Sequence, residues 1–185
     1  MLVGARGRVR LYDTRIYLNA AHFRTDISRM PGPVAVARFR VHRSKVVDFE
    51  LLEAAATTAA FRPSSQAAAD ATRRVLQMFT ELAPLGDGDV VTLRAMRETS
   101  GYAPPDPPRP GAEGCVTGVL CLSSEDVTGG LDVFKEPGRH PPTHPMELSP
   151  GFMAIFPTDA RAARTPLAGH GAACRIQLDC ECVRV

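Results

Sequence analysis

The stretch Gly114-Cys-Val-Thr-Gly-Val-Leu-Cys-Leu122, followed by Thr128-Gly-Gly-Leu-Asp-Val-Phe134 and Leu148-Ser-Pro-Gly-Phe-Met-Ala-Ile-Phe-Pro-Thr-Asp159, decides the fold. Each part is a short apolar run containing β-branched or aromatic residues, and Gly or Pro turn signals separate one from the next. No three-and-four residue periodicity intervenes, so they read as successive strands without alternating helices. Working outward, the strand candidates are Val90 to Met96, Cys115 to Leu122, Leu131 to Phe134, Phe152 to Phe156 and Ala173 to Val183. Between the first two, Pro104 to Pro110 holds five prolines in seven residues. Proline has no N–H to give a ladder, so that run predicts an irregular loop.

Upstream the pattern changes. From Ser65, a plausible cap, the apolar positions Ala68, Ala71, Val75, Met78, Phe79 and Leu82 recur at helical spacing, and Pro84-Leu-Gly-Asp-Gly88 ends the run. Val34 to Val41 alternates as a strand, whereas Ala- and Leu-rich Val46 to Ala60 favours helix. Leu11 to Leu18 reads as a short strand or the start of a helix, closed by the turn Met30-Pro-Gly-Pro33. Short strands after a long helix predict an α+β fold: a double-stranded β-helix, or jelly roll, with N-terminal bracing helices. At 185 residues and 44% hydrophobic composition the chain is expected to form one domain. Residues 1–89 would supply N-terminal strands and helices, and 90–185 the jelly-roll core.

Twenty-two Lys and Arg against 20 Asp and Glu leave a net charge of +2, which gives no electrostatic reason to expect nucleic acid as a partner. Arg6, Arg8, Arg10 and Arg15 make the first residues locally basic, and a solvated first strand accounts for them more simply than a phosphate-binding arm. No apolar run approaches the roughly 18 residues of a membrane span, and Met1 to Arg10 lacks the order of a signal peptide, so no membrane is expected. The five cysteines, Cys115, Cys121, Cys174, Cys180 and Cys182, are read as reduced, mostly buried thiols. Cys180-Glu-Cys182 places both thiols on one strand face without a Cys-x-x-Cys companion, which weighs against a metal or redox pair.

Together with Gly101-Tyr102, the ordered strands and turns resemble the 2-oxoglutarate and Fe(II)-dependent prolyl hydroxylases that sense oxygen, over about residues 90–185. In that family a Gly-Tyr pair precedes the first metal ligands. A Cys-Val-Thr strand and a Gly-Gly turn follow, and a Pro-containing turn then leads to an apolar strand ending in Ser/Thr-Asp. The resemblance implies a His-x-Asp pair and a distal His, three ligands on one face of the iron with positions left open. Ungapped counting sets the His-x-Asp pair on Pro105-Asp106-Pro107 and the distal His on Arg164. Proline has no ligating side-chain atom and a guanidinium repels a divalent cation, so these are vestigial positions and no metal is expected.

The family holds the distal carboxylate of its cosubstrate with a basic residue on a late strand, for which Arg175 is the candidate; an edge-strand arginine is the alternative reading. A cosubstrate-holding tyrosine falls on Cys121. No cofactor is expected. His140 and His144 cannot share a helix across Pro141-Pro142 and are placed in a connecting loop. His170, six residues past Arg164, would need a carboxylate such as Asp106 to make even a rearranged site. His22 and His42 are read as surface or satisfied core residues. Leu178-Asp-Cys-Glu-Cys182 has its Glu one residue too early for a Leu-x-Cys-x-Glu pocket-protein peptide and reads as a core strand.

A scaffold kept while its metal positions are replaced implies a pseudoenzyme that works by binding. Catalytically dead domains resembling these hydroxylases occur in large DNA viruses of the poxvirus type. The resemblance therefore implies a host-modulation protein that engages a host protein, the oxygen-sensing prolyl hydroxylase first, and stabilises the hypoxia-inducible factor. Its setting would be intracellular, in the host cytoplasm, with the nucleus as an alternative. An active oxygenase with a rearranged site, and an adaptor acting on inflammatory or pocket-protein signalling, are the competing readings.

Overall fold

The computed structural model describes residues 2–6, 9–15, 24, 34–42, 50–54, 66–83, 85–99, 116–128, 131–134, 144–146, 149–157, 161–164 and 168–181. Along the chain run β1 (Leu2–Arg6), β2 (Val9–Asp13), β3 (Val34–Arg40), β4 (Glu50–Ala54), α1 (Gln66–Leu82), β5 (Val90–Thr99), β6 (Val116–Thr128) and β7 (Leu131–Phe134). They are followed by β8 (His144–Met146), β9 (Phe152–Pro157), β10 (Arg161–Arg164) and β11 (Ala168–Glu181). An eight-stranded antiparallel sheet has the order β1-β2-β9-β6-β11-β5-β3-β4, and a three-stranded sheet the order β10-β7-β8. The chain passes from the large sheet to the small one after β6, back at β9, across again at β10 and home at β11. That alternation is the jelly roll expected from the turn-separated strands.

The α1 helix forms where the apolar spacing placed it. Ala71, Val75, Leu76, Met78, Phe79 and Ala83 pack on one face of the large sheet with Val91, Leu93, Leu120, Met153, Ile155, Cys174, Ile176, Leu178 and Cys180. Nineteen buried residues make up this cluster. Their burial supplies most of the described driving force, at roughly 25 cal/mol per Å² of apolar surface. A second cluster, Val9, Val119, Cys121, Ala154 and Phe156, lies on the opposite face of the same strands. Burial on both faces explains why β9 reads as a nearly continuous apolar run, whereas the second half of β11, buried throughout, alternates apolar residues with Arg175, Gln177 and Asp179.

Several expectations are corrected. Glu50–Ala54, inside the run read as helix, is strand β4. Its Glu-Leu-Leu-Glu-Ala composition favours helix locally, but pairing with β3 overrides it. The backbone register sets Arg38 opposite Glu53, Phe39 opposite Leu51 and Arg40 opposite Glu50. Among the described residues α1 is therefore the one bracing helix of any length. His144 opens β8 instead of lying in a loop, paired with Val133. Leu11 resolves to strand, in β2; just beyond its end the Thr14 N–H and Oγ1 both bond to the Gly151 carbonyl, at 2.9 and 2.7 Å. Met30 to Pro33, Ser65 and Pro104 to Pro110 lie outside the described residues.

Candidate functional site

Alternation along β11 determines the site. Cys174, Ile176, Leu178 and Cys180 face α1, so Arg175, Gln177 and Asp179 point to the other face, where the register aligns them with Cys121, Val119 and Thr117 of β6. A register shift at Cys174/Arg175 sets Leu122 as the extra residue of a bulge and brings Arg175 and Cys121 side by side. On the other flank, Arg175 lies opposite Met96 and Ala173 opposite Glu98. A diagonal between these pairs joins Arg175 and Glu98, a span that long side chains cross. The methyl group of Ala173 leaves the room.

Arg175 Nη1 stands 3.1 Å from Glu98 Oε2, with both side chains 2% exposed. A guanidinium and a carboxylate taken this far from water require each other, because either alone would carry an uncompensated desolvation penalty of several kcal/mol. The edge-strand reading of Arg175 is overturned: β11 is an inner strand between β6 and β5. Arg175 Nε has no hydrogen-bond partner among the described residues. Cys121 lies against the same group. Burial pushes its thiol pKa up, while the Arg175 charge and a hydrogen bond from it pull the other way; its Sγ also donates to the Ser123 carbonyl at 3.6 Å.

Further along the same face Asp179 gathers two hydrogen-bond donors and an ion-pair partner. Gln177 Nε2 reaches its two oxygens at 3.1 and 2.9 Å, Thr117 Oγ1 donates at 3.0 Å and Arg94 Nε stands 3.8 Å away. The reading of Leu178 to Cys180 as core strand holds, and Asp179 is held in the core by partners from three strands. Cys180 is buried and its Sγ approaches Asp89 Oδ2 at 3.9 Å.

Of the residues singled out in the sequence, Arg175 and Cys121 meet. Arg164 ends β10, paired with Leu131 in the small sheet. His170 is exposed near the start of β11. Pro105, Asp106, Pro107, His140, Cys115 and Cys182 lie outside the described residues. Glu98 was not anticipated, and Thr92, Glu98, Thr117, Gln177 and Asp179 form a buried polar set with Arg175. Cys121, Cys174 and Cys180 are buried and form no disulfide with one another, as read.

No protein-family model matches the chain, and no curated protein matches it in sequence. Solved structures do match it in fold. A Bacillus thuringiensis protein described as IDO superposes with a TM-score of 0.65 at 12% identity, covering 96% of this chain and 94% of that one. A Pseudomonas putida prolyl-4-hydroxylase gives 0.54 at 12% identity over 96% and 94%. An oxidoreductase of the 2OG-Fe(II) oxygenase family from Burkholderia pseudomallei gives 0.53 at 12% identity over 94% and 84%. The fold is thus that of the 2-oxoglutarate and Fe(II) oxygenases. At such identities the likeness speaks for the fold alone.

The groups that this fold family implies can be tested against the side chains. Among the described residues no three His, Cys, Asp or Glu are grouped to hold a metal ion. For the cosubstrate, the one buried arginine among the described residues already faces Glu98, and a second carboxylate would enter against like charge in a medium that screens poorly. Among the described residues, Arg175 does not offer an anionic cosubstrate an unopposed cation. No helix among the described residues is long and apolar enough to cross a membrane.

Proposed function

We propose that the chain uses an oxygenase-type jelly roll as a binding scaffold and not as a catalyst. The observation that carries this reading is the buried Arg175–Glu98 pair, which satisfies within the protein the charge that an oxygenase reserves for its cosubstrate. Pro105, Pro107 and Arg164 at the positions of the metal ligands support it from the sequence. The partner follows from the resemblance to oxygen-sensing prolyl hydroxylases. The chain acts as a viral host-modulation protein that engages the host hydroxylase and so stabilises the hypoxia-inducible factor.

Anaerobic calorimetric titration of the protein with Mn(II) or Fe(II), with and without 2-oxoglutarate, tests the first step. No heat beyond dilution is the expected result; one-to-one metal binding that tightens with 2-oxoglutarate would overturn it and restore an oxygenase. Co-precipitation with the host hydroxylase and a hypoxia reporter in expressing cells test the second, and silence in both would remove that partner.

A further inference from the structure

We infer that the outer edge of β1 is a docking site for an extended acidic segment of a partner protein, which joins the large sheet there as a further strand. The inference rests on the binding-scaffold reading above, and it adds the surface by which that scaffold takes hold.

β1 ends the strand order of the large sheet, and among the described residues nothing pairs with its outer side. An unpaired edge presents a row of N–H and C=O groups that another strand satisfies by adding to the sheet. β1 carries few of the devices that close an edge: Leu2–Arg6 has no proline and a single charged residue, at its end. A register shift between Leu2 and Gly4 leaves Gly4 to Arg6 in regular pairing with β2. Leu2, 53% exposed, is the exposed large apolar side chain among the described residues and offers a contact beside the main chain.

Charge selects the occupant. Residues 1–12 contain Arg6, Arg8 and Arg10 and no acid, while Asp13, the first acid, is taken by Arg15 at 2.9 and 2.6 Å. Arg10 is exposed and lies opposite Ala5, so the smallest of side chains separates its position from an added strand. The separation is two strand spacings of about 4.8 Å each, which an arginine and a glutamate span together. β4, at the other border of the sheet, contains Glu50 and Glu53, so an acidic strand favours the β1 border over that one. A second copy pairing β1 with β1 brings like charges together, and a nucleic acid has no peptide groups to complete the ladder.

The test uses the full chain with two short peptides, one alternating Val with Glu and the other Val with Lys, followed by calorimetry and amide hydrogen exchange. The expected result is that the Glu peptide binds, more weakly as salt is raised, and slows exchange in Gly4 to Arg6, whereas the Lys peptide does neither. Arg6→Glu/Arg10→Glu should weaken the Glu peptide on the order of tenfold and admit the Lys peptide. Circular dichroism checks that the variant folds, and Arg10→Gln, at an exposed position, stands in if it does not. Equal binding of the two peptides, no binding up to about 1 mM, or protection at β4 in place of β1 would overturn the inference. So would a concentration-dependent dimer that protects β1 without peptide, or a single-stranded oligonucleotide that displaces the Glu peptide. Failure of the scaffold reading shows separately, as metal binding or 2-oxoglutarate turnover by the natural chain.

Discussion

Gly118 of β6 lies directly beneath the Phe79 ring of α1, so that a Cβ added there would meet Phe79 Cε2 at 2.8 Å and Met153 Sδ at 3.7 Å. Phe79 is fully buried, and helix and sheet are locked at this contact. Gly118→Ala is expected to lower unfolding free energy by about 1–3 kcal/mol through overpacking, measured by urea denaturation. Phe79→Leu in the same chain should recover part of that loss. Additive losses would show that the two residues do not share the space.

Breaking the inner ion pair from one side should be worse than removing it whole. Arg175→Met leaves the buried Glu98 carboxylate without the guanidinium that stands 3.1 Å from it and is expected to cost about 3–5 kcal/mol, whereas Arg175→Met with Glu98→Leu should return most of it. A double variant no more stable than the single one would mean that the pair is not isolated from its neighbours.

Thiol chemistry offers an independent check on the two faces of the sheet. Burial raises the pKa of both Cys121 and Cys174, and Cys180 is buried as well. At pH 8 the native protein should leave these three unmodified by a soluble alkylating reagent for hours, with all of them labelling promptly in denaturant, as mapped by mass spectrometry. Prompt native labelling of Cys121 would indicate that the interior around Arg175 opens to solvent.

The β2 terminus carries a surface pair with a readable titration. Arg15 donates to both oxygens of Asp13, at 2.9 and 2.6 Å, and holds the Asp13 carboxyl down at about 2 from its usual 3.8. A folded-state pKa below the unfolded one contributes stability that is present above about 4 and is lost as pH falls toward 2. The pair is exposed, so the contribution is small. NMR titration should find Asp13 near 2 and Arg15→Ala should return it toward 3.8; an unchanged value in the variant would deny the pairing.

Much of the fold was legible because it rests on burial patterns. The Val75, Met78 and Phe79 spacing marked α1, and Leu131–Phe134 and Phe152–Pro157 lay where their apolar runs placed them. Three-residue β8 and four-residue β10, with His144, Pro145, Arg161 and Arg164, carry no strand signature, since their pairing is decided by neighbours and not by composition. The same holds for β4. At the site, Arg175 stood out through the resemblance, yet nothing near Glu98 in the sequence announces a buried acid. Its role exists only because β5 and β11 pair in one register, a non-local fact that no local window contains.

The flanking strands have a consequence for any attempt to isolate the jelly roll. In the large sheet β9 is paired on its outer side by β2 and β5 by β3, both drawn from the first 40 residues. A fragment starting at Asp89 would keep the Arg175 and Asp179 networks and yet expose two rows of unsatisfied amides and carbonyls along apolar strands. Such a fragment has sticky borders instead of finished ones, and it should self-associate edge to edge before its binding behaviour can be assayed.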